Sequence, residues 1–316
     1  MILGITGQDG ILLSKLLRSK GIDFFGVITP KTSLNGLKLL ASEIPDCNLI
    51  QVSSFSKYEF SRVLKSERPS QVYNFAAISS VKFSFEFPDE TFEVNHKMFC
   101  DLAETCIEFD NNIRIFQSSS SEMFGNTKQE AQDENTSFSP VSPYGESKLL
   151  AHFAAREYRQ HGAFVTAGIL FNHESEYRRE GFLIEKIVRF MAERSIGDKK
   201  PLEIGALNIS RDWSYAGDVV RGAYMSLQID ESHEFVFATG ETKTISEAIR
   251  TSLEIIEDDS SFSDFLILNP DLKRPAEKFL SKGDYSKANR ILGWHPEMTF
   301  EQMLRHLIDC KKEHLK

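Results

Sequence analysis

The chain has 316 residues, 41% of them hydrophobic, and a formal net charge of −9. That length and apolar content suit a globular enzyme of one large or two closely packed domains and exclude a disordered chain. The negative balance argues against nucleic acid as a partner, and no apolar run approaches the roughly 20 residues of a membrane span, so a cytoplasmic protein with no membrane partner is expected.

Residues 2–6 read as a buried strand, Gly7 to Gly10 as a turn and residues 11–19 as an amphipathic helix. Glycines at 4, 7 and 10 between a strand and a helix permit a tight turn and close approach of backbone to a dinucleotide pyrophosphate, whose charge the helix N-terminus favours. Residues 24–28 form the second strand. An Asp or Glu after it accepts from a ribose 2′-hydroxyl, whereas a cation accommodates a 2′-phosphate. This chain offers Thr29, Pro30, Lys31, Thr32 and Ser33, which favours NADP over NAD, with Lys31 and Arg178 as phosphate partners.

Residues 49–52, 71–76, 113–117 and 165–170 read as further strands, separated by helices such as 57–64 and 89–107. This alternation predicts an α/β fold, a Rossmann-like doubly wound parallel sheet with ligands at the strand C-terminal ends. Phe75, Ala76, Ala77 and Ser79 close one strand with mostly small residues, which suits either cofactor space or tight helix–sheet packing. Cys47, Cys100, Cys106 and Cys310 show no metal-ligand spacing, so buried free thiols and no metal are expected.

Between residues 117 and 148 the sequence gathers small hydroxyls, a carboxylate, a phenol and an ammonium, and Ser120, Glu122, Tyr144 and Lys148 are the candidate catalytic residues. Ser142-Pro143 opens a helix, and the spacing of four puts Tyr144 and Lys148 on one face. An ammonium beside a phenol lowers its pKa from about 10 towards neutrality. Such a tyrosine can take a proton from an alcohol while hydride leaves the same carbon.

Beyond residue 172 the pattern loosens. A dinucleotide-binding domain over residues 1–172 is expected to be followed, over 173–316, by a mainly substrate-binding lobe with some segments returning to the sheet. Helices are read at 182–193 and 218–227, strands at 201–205 and 235–238, and capping boxes at Thr244/Glu247 and Thr299/Gln302. Arg211 and Arg274 stand in rigid settings from which a guanidinium can fork onto phosphate.

The runs Gly4-Ile-Thr-Gly-Gln-Asp-Gly10, Tyr73-Asn-Phe-Ala-Ala77, Val81-Lys-Phe-Ser-Phe-Glu86, Ser119-Ser-Ser-Glu122 and Ile169-Leu-Phe-Asn-His-Glu-Ser175 accompany the Tyr144/Lys148 pair. With Arg211-Asp-Trp213, Ala238-Thr-Gly-Glu241, Arg274-Pro275 and Leu292-Gly-Trp294, they resemble the extended short-chain dehydrogenase/reductases, and among them the GDP-mannose 4,6-dehydratase family. The likeness spans nearly the whole chain. It implies that Ser120 is the catalytic Thr/Ser, Glu122 the acid/base, and Tyr144 with Lys148 the dehydrogenase pair. It also implies cofactor contacts from Gly4, Thr6, Gly7, Gln8, Asp9, Gly10, Ile11, Phe75, Ala76, Ala77, Ser79, Val94, Leu170, His173 and Arg178. Substrate contacts are implied for Ser79, Ser84, Glu86, Asn172, Lys186, Arg211, Arg274 and Glu277.

The departures fall at the periphery. Thr29 and Pro30 replace two arginines that in the family grip the 2′-phosphate and help join a tetramer, Ser53 replaces an acid near the adenine, and Glu176-Tyr177-Arg178 replaces Pro-Arg-Arg. The resemblance thus implies an active but divergent homodimer or homotetramer. Its substrate is a nucleotide sugar such as GDP-mannose, dehydrated to the 4-keto-6-deoxy product. An epimerase or 4-ketoreductase would use Tyr144 and Lys148 without eliminating water, and a dinucleotide sensor would need neither. Glu122 and the Asn-His-Glu-Ser run argue against the first, and retention of Ser120, Tyr144 and Lys148 together argues against the second.

Overall fold

A computed structural model describes residues 1–272 and 280–315. The chain begins β1 (Ile2–Leu3), α1 (Gln8–Ser19), β2 (Phe25–Ile28), α2 (Leu34–Glu43), β3 (Asn48–Gln51), α3 (Lys57–Glu67) and β4 (Gln71–Asn74). Next come α4 (Val81–Glu86), α5 (Pro88–Phe92), a π-turn (Glu93–Lys97), α6 (Met98–Phe109), β5 (Arg114–Ser120), α7 (Pro143–Gln160) and β6 (Val165–Leu170). The remainder runs β7 (Asn172–Glu174), α8 (Leu183–Ser195), β8 (Leu202–Ile204), β9 (Ser210–Arg211), β10 (Trp213–Tyr215), α9 (Ala216–Ser226) and β11 (Glu234–Phe237). It closes with β12 (Lys243–Thr244), α10 (Ile245–Ile255), β13 (Leu266–Leu268), β14 (Leu280–Ser281), α11 (Ser286–Leu292) and α12 (Phe300–His314).

Seven strands form one sheet in the order β11-β6-β5-β4-β1-β2-β3, and every pairing in it is parallel. Both faces are therefore covered by helices, as the near-continuous apolar strands require. Successive strand residues enter opposite layers: Leu3, Ile115 and Val165 pack with α3 and α6, while Ile2, Phe116 and Leu170 pack with α1 and α9. The strand order reverses between β1 and β4, and ligands of such sheets bind where it does. β11 comes from late in the chain and extends the sheet beside β6. The helices α8, α10 and α12 share a separate apolar core with β8 and Trp213.

Three expectations are corrected. β1 stops at Leu3 because Gly4 turns the chain at a φ of 76°. The single helix read at 89–107 is broken by the π-turn between α5 and α6. Of the four free cysteines only Cys106 is buried, and Cys47 just before β3, Cys100 on α6 and Cys310 on α12 are partly exposed. Both capping boxes form, at Thr244/Glu247 and Thr299/Gln302.

Candidate active site

The three glycines after β1 do different work. A carbon added at Gly4 would lie 2.7 Å from the backbone of both Phe75 and Ala76, so the ends of β1 and β4 meet only because it has none. At Gly10 it would lie 2.4 Å from Gly4 O and from Ile5 Cα, so the first turn of α1 is pressed onto the loop. At Gly7 it would meet only Gly4 O at 3.3 Å, and this open side lines the cleft. Gly7 caps α1 without a side chain of its own, which leaves the helix N-terminus available to an anion.

Gln8 and Asp9 open α1, and both are locked to the run at 172–175. Gln8 Nε2 donates to His173 O at 3.0 Å, and Ser175 Oγ donates to Gln8 Oε1 at 3.0 Å. The His173 ring lies 3.2 Å from the Asp9 carboxylate and 2.7 Å, through Nδ1, from Phe171 O. Burial disfavours charge on Asp9, but His173, Arg178 and Lys148 outweigh it and hold the carboxyl below its usual range. Burial likewise opposes charge on His173, and Asp9 overcomes it and raises the imidazole. Two motifs about 165 positions apart are thus joined by one partly buried ion pair. Arg178 packs over the Phe182 ring at 3.6 Å and lies 3.1 Å from buried Glu174, whose pKa burial raises.

The reacting end is assembled from β5 and α7. Ser142 caps α7 by accepting from Gly145 N at 3.1 Å, with Pro143 next. Ser120, the last residue of β5, accepts from Glu122 N at 3.2 Å and hydrogen-bonds the Tyr144 phenol. Burial pushes Tyr144 up to about 12, Ser120 pulls it back, and the Glu122 charge raises it further. This reverses the expectation that Lys148 brings the phenol towards neutrality. Lys148 Nζ donates instead to Ser118 O at 2.9 Å and to Ser118 Oγ at 3.4 Å, and burial lowers its own pKa to about 8.

These groups line one cleft of about 1130 Å³. Ser120, Glu122, Tyr144 and Lys148 face it together with Gly4, Gly7, Gln8, Asp9, Phe75, Ala77, Ser79, Leu170, His173 and Arg178. Glu86, Asn172, Lys186 and Arg211 line it as well; Arg211, on β9, is buried and donates to Ser210 O. Seven expected contacts are not on the cleft wall. Thr6, Gly10 and Ala76 are not among its lining residues. Ile11 is wholly buried in the core. Ser84 is buried with its hydroxyl on Val81 O at 2.7 Å, because the α4 turn points it inward. Val94 is turned away by the π-turn, and Lys31 is exposed on the turn after β2. Arg274 and Glu277 lie outside the described residues.

Two residues escaped the sequence reading. Asn95, buried in the π-turn, accepts from Ile78 N at 2.8 Å, donates to Ile78 O at 3.0 Å and donates to Ser147 Oγ at 3.0 Å. It fastens the cleft wall after β4 to the helix carrying Tyr144 and Lys148. The only signal was an Asn inside a helical pattern, where the residue is disfavoured. Gly145 is the other: a carbon there would lie 2.8 Å from Glu122 O, so its absence lets α7 reach the turn that carries Glu122.

A family model described as GDP-mannose 4,6 dehydratase matches residues 1–307. GDP-mannose 4,6 dehydratase 2 of Arabidopsis thaliana is 35% identical, across 98% of this chain and 85% of that protein. The GDP-mannose 4,6-dehydratase of Yersinia enterocolitica is 33% identical, across 98% of this chain and 92% of its own length. Among solved structures, the dTDP-glucose 4,6-dehydratase of Bacillus anthracis in complex with NAD has a similar fold, with a TM-score of 0.82 at 20% identity over 99% of this chain and 96% of that one.

Proposed function

The chain belongs to the GDP-mannose 4,6-dehydratase family, and from that premise we propose that Ser120, Glu122, Tyr144 and Lys148 carry its reaction. The protein is an NADP-dependent hydro-lyase of nucleotide-sugar metabolism that converts GDP-mannose to GDP-4-keto-6-deoxymannose. The observation behind the assignment of residues is that a phenol, a hydroxyl, a carboxylate and a buried lysine line one cleft with the open side of the glycine loop.

The proton on C5 of a hexose is not acidic until C4 is a ketone, so loss of water across C5 and C6 requires oxidation first. A nicotinamide dinucleotide, when bound, would supply the hydride acceptor for C4 and the hydride donor for C6. The residues fit such a group: Gly7 leaves the end of α1 bare, and Gly4 lets the two strand ends close beneath it. Tyr144 takes the C4 hydroxyl proton. Ser120 holds the phenol oxygen in place. Lys148, one turn along the same face, is anchored on Ser118 O and brings its amine to the same cleft. Glu122 then removes the C5 proton, and Ser120 or the newly protonated Glu122 protonates the departing O6. Each acid–base group contributes on the order of 10²–10⁴-fold.

The dinucleotide is assigned mainly to residues 1–172 and the nucleotide sugar mainly to 173–316. Arg211 holds the sugar's diphosphate, supported by its buried place on the cleft wall, and Asn172, Lys186 and Glu86 contact the remainder. Arg178 contacts the cofactor from the opposite wall. The protein is a homodimer through α6 and α7, a reading supported by Leu150 and Phe153, each 43% exposed on α7. Its four free thiols support a cytoplasmic location. No helix among the described residues is long and apolar enough to cross a membrane. Purified protein incubated with a panel of nucleotide sugars and followed by mass spectrometry tests substrate and reaction together. Loss of one water from GDP-mannose is expected, and turnover without loss of water would contradict the reading.

A further inference from the structure

The turn that carries Arg178 departs from the family pattern at Glu176 and Tyr177, and the structure shows both side chains fastened. The Tyr177 hydroxyl donates to Glu43 Oε2 on α2 at 2.7 Å and accepts from Lys15 Nζ on α1 at 2.7 Å. Lys15 also pairs with Glu43 at 2.8 Å, and its ammonium stands 5.3 Å from the centre of the Tyr177 ring. The ring itself is 8% exposed. On the neighbouring position, Glu176 accepts from the Tyr215 hydroxyl at 3.3 Å and lies 3.5 Å from the His306 ring on α12. Ser175, one residue earlier, accepts from Tyr177 N at 3.2 Å and donates to Gln8 of the glycine loop, while Arg178 N donates to Ser175 O at 3.0 Å.

We propose that Glu176 and Tyr177 are positioning residues for Arg178: they clamp its turn to α1, α2 and α12 and so hold the guanidinium at the cofactor end of the cleft. This rests on the reading of Arg178 as a cofactor contact. The clamp has a geometric reason. Arg178 is reached from β7 by a turn of three residues, and two of those three are bonded to different helices, Tyr177 to α1 and α2 and Glu176 to α12. A guanidinium on a turn fixed at two residues loses less side-chain and backbone freedom when it meets a ligand phosphate, so the clamp appears as slower cofactor release. Proline stiffens a turn through its own ring. Here the same stiffness comes from tertiary hydrogen bonds.

The test is the dissociation rate of NADPH from the full-length protein, followed by cofactor fluorescence, for Tyr177→Phe, Glu176→Gln, Arg178→Ala and the pairwise combinations with Arg178→Ala. Tyr177→Phe keeps the ring and deletes the bridging oxygen; Glu43→Gln weakens the same bridge from the other side. Each clamp variant is expected to release NADPH about three- to tenfold faster, the effect of one lost hydrogen bond, and to keep its kcat at saturating cofactor. The clamp acts through Arg178, so its effects should vanish in the Arg178→Ala background. Clamp variants with unchanged release, or with effects that add in full to that of Arg178→Ala, would overturn the proposal. If Arg178→Ala alone leaves release unchanged, the assignment of Arg178 as a cofactor contact fails, and the clamp proposal falls with it.

Discussion

Around Ser120 each candidate reacting side chain is placed by backbone that other contacts already fix, whereas the turn after β2 is held by its own hydrogen bonds and by the start of α2. Tyr144 and Lys148 project from a helix capped by Ser142, pressed by Gly145 onto the Glu122 turn and tied through Ser147 to Asn95. The segment at 29–33 is held by Thr29 N donating to Thr32 Oγ1 and Thr32 N donating to Thr29 O, with Pro30 and Lys31 exposed. A change at the first region disturbs several buried partners, but at the second it disturbs one local turn. That difference makes the candidate reacting residues the more sensitive of the two regions to substitution.

Replacement of Tyr144 by Phe should produce the largest loss. It removes the only proton acceptor assigned to C4 oxidation, so kcat should fall by about 10³–10⁴ with little reduced cofactor formed, measured by single-turnover absorbance. Glu122→Gln should lower turnover by about 10²–10³ and stall one step later, so that reduced nicotinamide accumulates in the same assay. Equal stalling points for the two variants would show that the reacting end does not separate its proton transfers.

The glycine loop sharpens the contrast within a single motif. Gly10→Ala drives a carbon into the backbone of Gly4 and Ile5, and thermal melting should show a loss of about 2–4 kcal/mol, as for other forced overpacking. Gly7→Ala faces the cleft and should change stability by less than about 1 kcal/mol while weakening cofactor binding. Comparable melting temperatures for the two would remove the division of labour assigned to them.

The Asp9–His173 pair gives a prediction in pH. Asp9 is held below its usual range, so its contribution is present above about pH 4 and is lost as pH falls through its lowered value. His173 is raised, so its contribution is complete below about pH 6.5 and is lost as pH rises through its raised value. The melting-temperature gap between the native protein and His173→Gln should therefore be widest between about pH 4 and 6.5 and narrow on both sides. A gap independent of pH would mean that the pair is not charged. Lys31→Ala should have the smallest effect, less than about 1 kcal/mol in NADP affinity by titration, as befits an exposed cation at a self-contained turn.

The sheet was legible because its strands are short apolar runs buried on both faces, and the loop at 4–10 because glycine spacing answers a steric demand. That Tyr144 and Lys148 share the cleft was legible because their spacing on α7 fixes a face. Less could be read where a tertiary partner decides the outcome. The phenol of Tyr144 looked acidified beside Lys148, but nothing in the spacing reveals that Lys148 reaches back to Ser118 O while burial governs the phenol. Asn95 was hidden because its role depends on a π-turn, and Ser84 and Val94 were misplaced because packing decides which side of α4 and of the π-turn meets the cleft. Ser53 stands where the family carries an acid, but its hydroxyl donates to Glu59 at 2.7 Å and anchors α3.

The reacting end is tested most directly by isotope. The native enzyme should be run in heavy water with substrate carrying deuterium at C4 in one experiment and hydrogen in another. With Glu122 as the C5 base and hydride kept within the cleft, solvent deuterium appears at C5 of the 4-keto-6-deoxy product and the C4 label is recovered at C6. Product lacking solvent deuterium at C5, or with its C6 hydrogen drawn from solvent, would contradict the account.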